Sequence, residues 1–440
     1  MRTTAACELD PMIRDAIETA PREQLEALQL ERLRWTVARI LDRVAHGREA
    51  LHDAGVTAAQ DVGSLQDLAR LPFTLKSDLR EHYPFGLFAV PREELVRVHA
   101  SSGTGGKPTV VGYTRHDLED VWHAVMARCL ATAGVRAGMV VHNAYGYGLF
   151  TGGLGFHQGA ERLGATVVPI SGGLTNRQVM LLRDFGAQAL CATPSYALVI
   201  AQGLRDAGIE PGELALEIGL FGAEPWTEAM RAQIERELGL TAINFYGLSE
   251  IVGPGVAVEC PQERNGLHVN EDHFLVEVVD PETGTPLGPG EDGELVFTTL
   301  TKEALPLVRY RTADIASLTL DRCPCGRTLA RMSPVRGRYD DMLIIRGVNL
   351  YPSEIEHALL GVEGVAPHYQ LVVERLGALD ELTVRCEPAA GSADGADLRA
   401  RVAQALRERT GISIAVELLA PGAVPRSEGK AVRVLDQRPR

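Results

Sequence analysis

The chain has 440 residues, 45% apolar and 23% charged, with 44 basic against 58 acidic side chains and a net charge of −14. That length exceeds one compact core and calls for two or three domains of a globular protein. The acidic balance argues against nucleic acid or an anionic membrane as a general partner, though backbone N–H groups and a few cations still permit a local anion site.

Met1–Pro11 mixes Arg, Thr, Cys, Glu and Asp without an apolar run, so no signal peptide is expected. No stretch reaches the ~18 consecutive apolar residues of a membrane span. Seven cysteines, odd in number and scattered, argue against a disulfide framework and for a reducing, cytoplasmic setting. Cys7, Cys129, Cys191 and Cys386 stand alone and read as small buried hydrophobes.

Leu30, Leu33, Val37, Ile40 and Val44 recur at three- and four-residue steps and predict an early amphipathic helix. Leu95–Val98 reads as a strand leading into a polar loop at Ser101–Thr109. Five short apolar runs follow, Met139–Val141, Thr166–Ile170, Ala189–Ala192, Ile218–Phe221 and Ala242–Phe245. They alternate with stretches of helical character, which predicts crossover helices over a largely parallel sheet. Ligands of such sheets collect beyond the carboxyl ends of the strands. Three runs end there in Thr193-Pro194-Ser195-Tyr196, Gly222-Ala223-Glu224-Pro225 and Tyr246-Gly247-Leu248-Ser249-Glu250.

A β-rich stretch comes next, with strands at Phe274–Val279 and Glu294–Leu300 separated by turn-rich segments. A new unit begins near Asp340. It offers a strand at Met342–Ile345, a turn at Gly347, and a helix from Ser353 with Ser353 and Glu356 as a capping box. A later helix carries Leu398, Val402 and Leu406 on one face and stops at Gly411. The division is therefore 1–339 and 340–440: an α/β body with mixed sheets and flanking helices, and a small α+β lid.

The loop Ser101-Ser102-Gly103-Thr104-Gly105-Gly106-Lys107-Pro108-Thr109 gathers hydroxyls, glycines and a lysine into a backbone concavity suited to phosphate. It is not a Walker loop, because Ser101 and Pro108 stand where that motif needs Gly and a hydroxyl residue. Taken alone, such a cluster reads more readily as a polar hairpin turn. Its company carries more. Tyr246 is an aromatic able to stack on a base, with Glu250 four residues on as a Mg²⁺ ligand. Arg309-Tyr310-Arg311-Thr312-Ala313-Asp314 supplies an acceptor for ribose hydroxyls. Gly337-Arg338-Tyr339-Asp340-Asp341 marks the domain boundary, and Pro425-Arg426-Ser427-Glu428-Gly429-Lys430 nearly closes the chain.

In that order the motifs resemble the adenylate-forming superfamily of acyl-CoA ligases, adenylation domains and luciferases. The resemblance is strongest to the phenylacetate–CoA ligase family, through Leu71–Arg80, Asn143–Gly153, Phe221–Trp226, Leu267–Phe274, Asp340–Glu356 and Pro425–Val434. It implies that a carboxylate attacks the α-phosphorus of ATP, giving acyl-AMP and pyrophosphate, and that the thiol of CoA then displaces AMP. By that resemblance Lys430 is the cation between carboxylate and α-phosphate, and Glu250 holds Mg²⁺. Ser101, Ser102, Gly103, Thr104, Gly105 and Lys107 hold the outer phosphates. Asp314 and Arg338 hold ribose, and Glu224 with Tyr246 and Gly247 line the adenine site. Asp340 matches the hinge about which the lid rotates, and Gly347 lies near the channel for the thiol. A homodimer is compatible with the family.

For the acid, Tyr145, Tyr147 and Phe150 interleave with glycines as a flat slot suited to an aryl ring, bordered by Gly222 and Ala223. The same aromatics read equally as core residues beside a Gly-rich loop. The expected substrate is phenylacetate or a substituted aryl acid. An alternative acceptor is a carrier-protein thiol or an amine in place of CoA. Ala313 stands where the family usually has Arg or Gly, and Phe156 is bulkier than the usual Ala. Finally, Cys260, His268, Cys323 and Cys325 make either a Cys₃His structural zinc set or a group of reduced cysteines beside a histidine.

Overall fold

The structure is a computed structural model and describes residues 12–101, 107–346, 348–376, 379–389, 392, 395–426 and 432–438. The early apolar stripe lies on the helix Arg22–Arg43, whose Leu33 and Val37 are fully buried. The five apolar runs form parallel strands, Val140–Asn143, Thr166–Val168, Ala189–Ala192, Ile218–Phe221 and Thr241–Tyr246. Helices Gly152–Leu163, Thr175–Asp184, Pro194–Asp206 and Glu228–Leu238 join them in turn. Covered by helices, such strands bury both faces, which is why they read as unbroken apolar runs.

Beyond Thr241–Tyr246 the same sheet continues by antiparallel pairing through Ala257–Val258, Leu267–Val269, Arg331–Met332 and Leu318–Thr319. An antiparallel sheet of Phe274–Val279, Gly293–Thr299, Tyr310–Ala316 and Gly337–Arg338 packs against the same large core. In it Asp314 pairs with Arg338 across neighbouring strands.

After Asp341 the chain builds a separate apolar core from Leu343, Ile345, Leu350, Ile355, Leu371, Val384 and Val402. Its four-stranded sheet runs in the order Ala415–Leu418, Leu379–Pro388, Val365–Leu376, Val434–Asp436, with helices Pro352–Leu360 and Gly395–Thr410. Leu398, Val402 and Leu406 are the buried face of the latter helix, and Gly411 takes a positive φ just past its end.

Two local expectations are corrected. Residues 92–94 form a 3-10 turn, with the Leu95 N–H closing onto the Arg92 carbonyl, so the strand starts later and spans Arg97–Ser101. Ser353 and Glu356 are not a capping box. Pro352, with its fixed φ, opens the helix, so both residues fall inside it. The Tyr351 N–H instead donates to Glu354 Oε2 at 3.4 Å. Ser353 Oγ donates to the Arg336 carbonyl, and the buried Glu356 accepts from the Tyr369 hydroxyl at 2.6 Å. No helix among the described residues is long and apolar enough to cross a membrane.

Candidate functional site

The carboxyl ends of the parallel strands and the facing edge of the antiparallel sheet bring several of the motifs together. Tyr246, the last residue of its strand, donates its hydroxyl to Asp314 Oδ2 at 2.6 Å and stacks on Phe297 with ring centroids 6.0 Å apart. Burial pushes the Tyr246 phenol well above its ordinary range, and the adjacent Asp314 charge adds to that, so the phenol stays a donor. Arg338 Nη1 reaches Asp314 Oδ1 at 3.3 Å, and the same guanidinium forks onto both oxygens of Asp340 at 2.8 Å. One cation therefore ties the ribose-acceptor candidate to the hinge candidate. Next to Asp314, Ala313 holds a positive φ of 64°, fixed by its N–H donating to Glu294 Oε1 at 2.8 Å. A non-glycine residue in that region is strained, and such strain gathers at sites where backbone direction matters.

Glu250 is 5% exposed, and its carboxylate meets Lys76 Nζ at 3.8 Å. Its backbone carbonyl accepts from Lys302 Nζ at 3.0 Å, and that of Ile251 from the same nitrogen at 2.9 Å. Burial pushes the Lys302 ammonium down to about 8, against the opposing pull of Asp117 and Glu250. Neither Lys76 nor Lys302 was singled out from the sequence. Lys302 falls just past the Glu294–Leu300 strand and before the Arg309–Asp314 motif, where the sequence marks no element or role.

The strands on either side of the loop candidate, Arg97–Ser101 and Thr109–Tyr113, pair antiparallel as a hairpin, with Ser101 opposite Thr109. Ser102, Gly103, Thr104 and Gly105 lie outside the described residues. Where the two strands end, the hydroxyls of Ser101 and Thr109 are enclosed without a hydrogen-bond partner among the described residues, and Lys107 Nζ lies 5.4 Å from the centre of the Tyr83 ring. The hairpin joins the acid-slot candidates through the Ala100 N–H, which donates to the Leu149 carbonyl at 3.1 Å. It joins the Glu250 turn through the Tyr113 hydroxyl, 3.5 Å from the Ser249 carbonyl.

Among the acid-slot candidates the aromatics divide. Tyr145 is 2% exposed, stacked on Phe156 at 5.1 Å and edge-on to Phe245, with its hydroxyl on the Ala192 carbonyl. Tyr147 is half-buried and accepts from Asn143 Nδ2 at 2.8 Å, with His157 Nδ1 3.1 Å away. Phe150 is 47% exposed. The glycines differ likewise. A Cβ on Gly153 would stand 2.6 Å from the Gly146 carbonyl, and one on Gly222 2.5 Å from that of Phe245. Both serve close backbone packing. Ala223 next to it holds a positive φ of 68°.

Glu224 lies at the start of the helix Pro194–Asp206, where its Oε1 accepts from the Ser195 N–H at 2.8 Å and from the Ser195 hydroxyl. A carboxylate suits that helix end. Its charge also reaches Arg433 and Glu356 in the C-terminal unit. Lys430 and Gly347 lie outside the described residues. The nearest described residues, Arg426, Val432 and Arg433, border a small cavity shared with Ser195 and Val199 of the body.

Away from these strand ends, Cys260, His268, Cys323 and Cys325 converge. All four are buried, with ligand atoms within 4.8 Å of one another. Cys260 and Cys323 sulfurs are 3.7 Å apart, and Cys325 Sγ lies 3.5 Å from His268 Nε2. Tetrahedral bonds of about 2.3 Å to sulfur and about 2.0–2.1 Å to nitrogen give edges of roughly 3.8 Å and 3.5 Å. Arg327 Nη1 lies 3.5 Å from Cys325 Sγ, while its Nε pairs with the fully buried Glu18 at 2.7 Å.

Comparison with known proteins agrees with this arrangement. The family described as AMP-binding enzyme matches residues 19–300, and the AMP-binding enzyme C-terminal domain matches residues 347–438. A phenylacetate–coenzyme A ligase of Thermus thermophilus is 56% identical over 445 residues, covering 97% of this chain and 100% of that protein. One of Escherichia coli K12 is 51% identical over 430 residues, covering 96% and 97%. The crystal structure of 2-hydroxyisobutyryl-CoA ligase in the postadenylation state, with R3-HIB-AMP, superposes with a TM-score of 0.88 at 32% identity, covering 95% of this chain and 91% of that one. The same enzyme with 2-HIB-AMP and CoA in the thioesterification state gives 0.71, also at 32% identity, covering 97% and 94%. The two parts of this chain are thus arranged more like the former state. With full-length relatives at this identity, the chain belongs to the phenylacetate–coenzyme A ligase family of adenylate-forming enzymes.

Proposed function

We propose that this chain activates phenylacetate, or a ring-substituted aryl acid, with ATP and passes the acyl group to CoA. The acid oxygen bonds to the α-phosphorus as the bond to pyrophosphate breaks. The CoA sulfur then bonds to the acyl carbon as the acyl–oxygen bond breaks, releasing AMP. Full-length likeness to phenylacetate–coenzyme A ligases is the observation that carries this reading.

An anion must approach a polyanion in the first step, so fixed donors and cations lower the barrier. In our reading Asp314 accepts from the ribose hydroxyls, and Tyr246 and Glu224 border the adenine site. Arg338 steadies Asp314, and the hairpin tip at 101–109 takes the outer phosphates. Glu250 offers one buried carboxylate, which suits Mg²⁺ held by one or two carboxylates together with substrate phosphates. When bound, that ion neutralises phosphate charge. Lys430 supplies the cation at the α-phosphate. We divide the body from the lid at Asp340, and Gly347 borders the thiol's path once the lid has turned. The decisive experiment is a pyrophosphate-release screen over aryl acids with and without CoA. Phenylacetate or a close analogue should release pyrophosphate and yield a thioester only with CoA; release without any thioester would move the acceptor to a carrier protein or an amine.

We also propose that Cys260, His268, Cys323 and Cys325 hold one structural Zn²⁺, which their convergence within 4.8 Å and the two near-tetrahedral edges, Cys260–Cys323 and Cys325–His268, support. Three thiolates around a dication leave one net negative charge, and the Arg327 guanidinium, itself paired with Glu18, donates toward Cys325 Sγ. Metal analysis of a chelator-free preparation should find about one zinc per chain, and its absence would leave reduced cysteines as the answer. Reduced cysteines elsewhere fit a cytoplasmic setting.

A further inference from the structure

Lys302 lies outside every motif that marks the nucleotide site, yet its side chain is almost wholly enclosed, at 1% exposure. Burying an ammonium is costly unless its donors are used, and here two protein carbonyls accept from two of its three N–H groups. Those carbonyls belong to Glu250 and Ile251, at 3.0 and 2.9 Å, so the lysine grips the backbone of the residue that carries the buried carboxylate. The same ammonium lies 5.0 Å from the centre of the Tyr113 ring, a cation–π distance. Tyr113 ends the strand Thr109–Tyr113 that leaves the phosphate-loop candidate, and its hydroxyl points to the Ser249 carbonyl.

The lysine cannot swing away, because its neighbours are pinned. Asp117 accepts from the N–H groups of Glu303 at 2.6 Å and Ala304 at 2.9 Å. It also accepts from the Thr114 N–H at 3.0 Å, next to Tyr113. Asp117 opens a π-helical turn, Asp117–Trp122, a rare geometry that recurs at functional sites. Strand, lysine and Glu250 turn are therefore joined through one continuous set of contacts.

We propose that Lys302 is a positioning residue for the first half-reaction, fixing the Glu250 carboxylate relative to the phosphate-binding hairpin. This rests on the reading of Glu250 as the ligand of the ATP-bound cation. A lysine that only filled space would serve both half-reactions alike, whereas this one serves the step that needs metal and ATP. Positioning errors of an ångström cost large factors in rate.

Lys302→Met keeps the apolar length and removes the grip. Three readouts decide, scored per folded protein by near-ultraviolet circular dichroism. Mn²⁺–ATP binding, followed by loss of the free Mn²⁺ electron paramagnetic resonance signal, should weaken at least about tenfold. Phenylacetate-dependent pyrophosphate release should fall at least about thirtyfold, with a raised half-saturating Mg²⁺. Thioester formation from supplied phenylacetyl-adenylate and CoA should stay within about threefold of wild type. Equal loss in both half-reactions, or loss in neither, overturns the proposal. Glu250→Gln separates the two ideas. If it leaves Mn²⁺–ATP binding intact, the metal reading of Glu250 fails; if it weakens binding while Lys302→Met does not, only the positioning role fails. Should Lys302→Met give no soluble protein, the milder Lys302→Gln is read by the same three measures.

Discussion

Two faces of this molecule meet at the carboxyl ends of one parallel sheet, and they are held in opposite ways. On the side proposed for the nucleotide, Tyr246, Asp314, Arg338 and Asp340 form an unbroken chain of hydrogen bonds across two sheets. On the side proposed for the acid, Tyr145 is locked into the core, Tyr147 is half-buried and held through its hydroxyl and its backbone N–H, and Phe150 is half-exposed. Preorganised donors are what a charge-building step needs, because they need not rearrange as charge develops. An apolar ring asks mainly for a shaped space, which side chains beside a Gly-rich loop can line. In our proposed reading, nucleotide geometry is fixed in advance while acid selectivity resides in the loop at 145–155.

The sharpest way to break this comparison is Asp314→Ala. It strips the acceptor from both Tyr246 and Arg338, a loss of about 2 kcal/mol or more, so kcat/KM for ATP should fall at least about thirtyfold. A loss under threefold would show that the chain of bonds is scaffolding alone. Tyr246→Phe removes one hydroxyl but keeps the ring on Phe297, and about a tenfold rise in KM for ATP is expected in steady-state assays. Phe150→Ala should be the mildest, leaving KM for ATP within about twofold and shifting KM for the acid by less than about fivefold, since an exposed ring gives up little contact. A larger shift for the acid would mean that the loop closes over the substrate.

How much of this was legible follows from the same physics. The parallel strands were readable because burial on both faces leaves an uninterrupted apolar run, as in Ile218–Phe221. Asp314 and Tyr246 were readable as motif members, but their 2.6 Å bond joins residues far apart in sequence, which no spacing reveals. Tyr145 and Phe150 looked alike as aromatics among glycines. Only the tertiary path of the loop sends one inward and the other outward. Cys323 and Cys325 announced themselves by spacing, whereas their convergence with Cys260 and His268 needed strand Leu267–Val269 beside strand Arg331–Met332. Lys302 was invisible, because a charged residue in a polar turn normally faces water. The Ser353/Glu356 pair misled for the opposite reason: a local pattern was present but tertiary contacts had claimed both side chains.

The central claim is that the acid carboxylate attacks the α-phosphorus. Phenylacetate labelled with ¹⁸O in both carboxylate oxygens tests this most directly, by mass spectrometry of the products after turnover with ATP and CoA. One labelled oxygen should appear in AMP and none in pyrophosphate. Label recovered in inorganic phosphate, with ADP as the nucleotide product, would contradict the account.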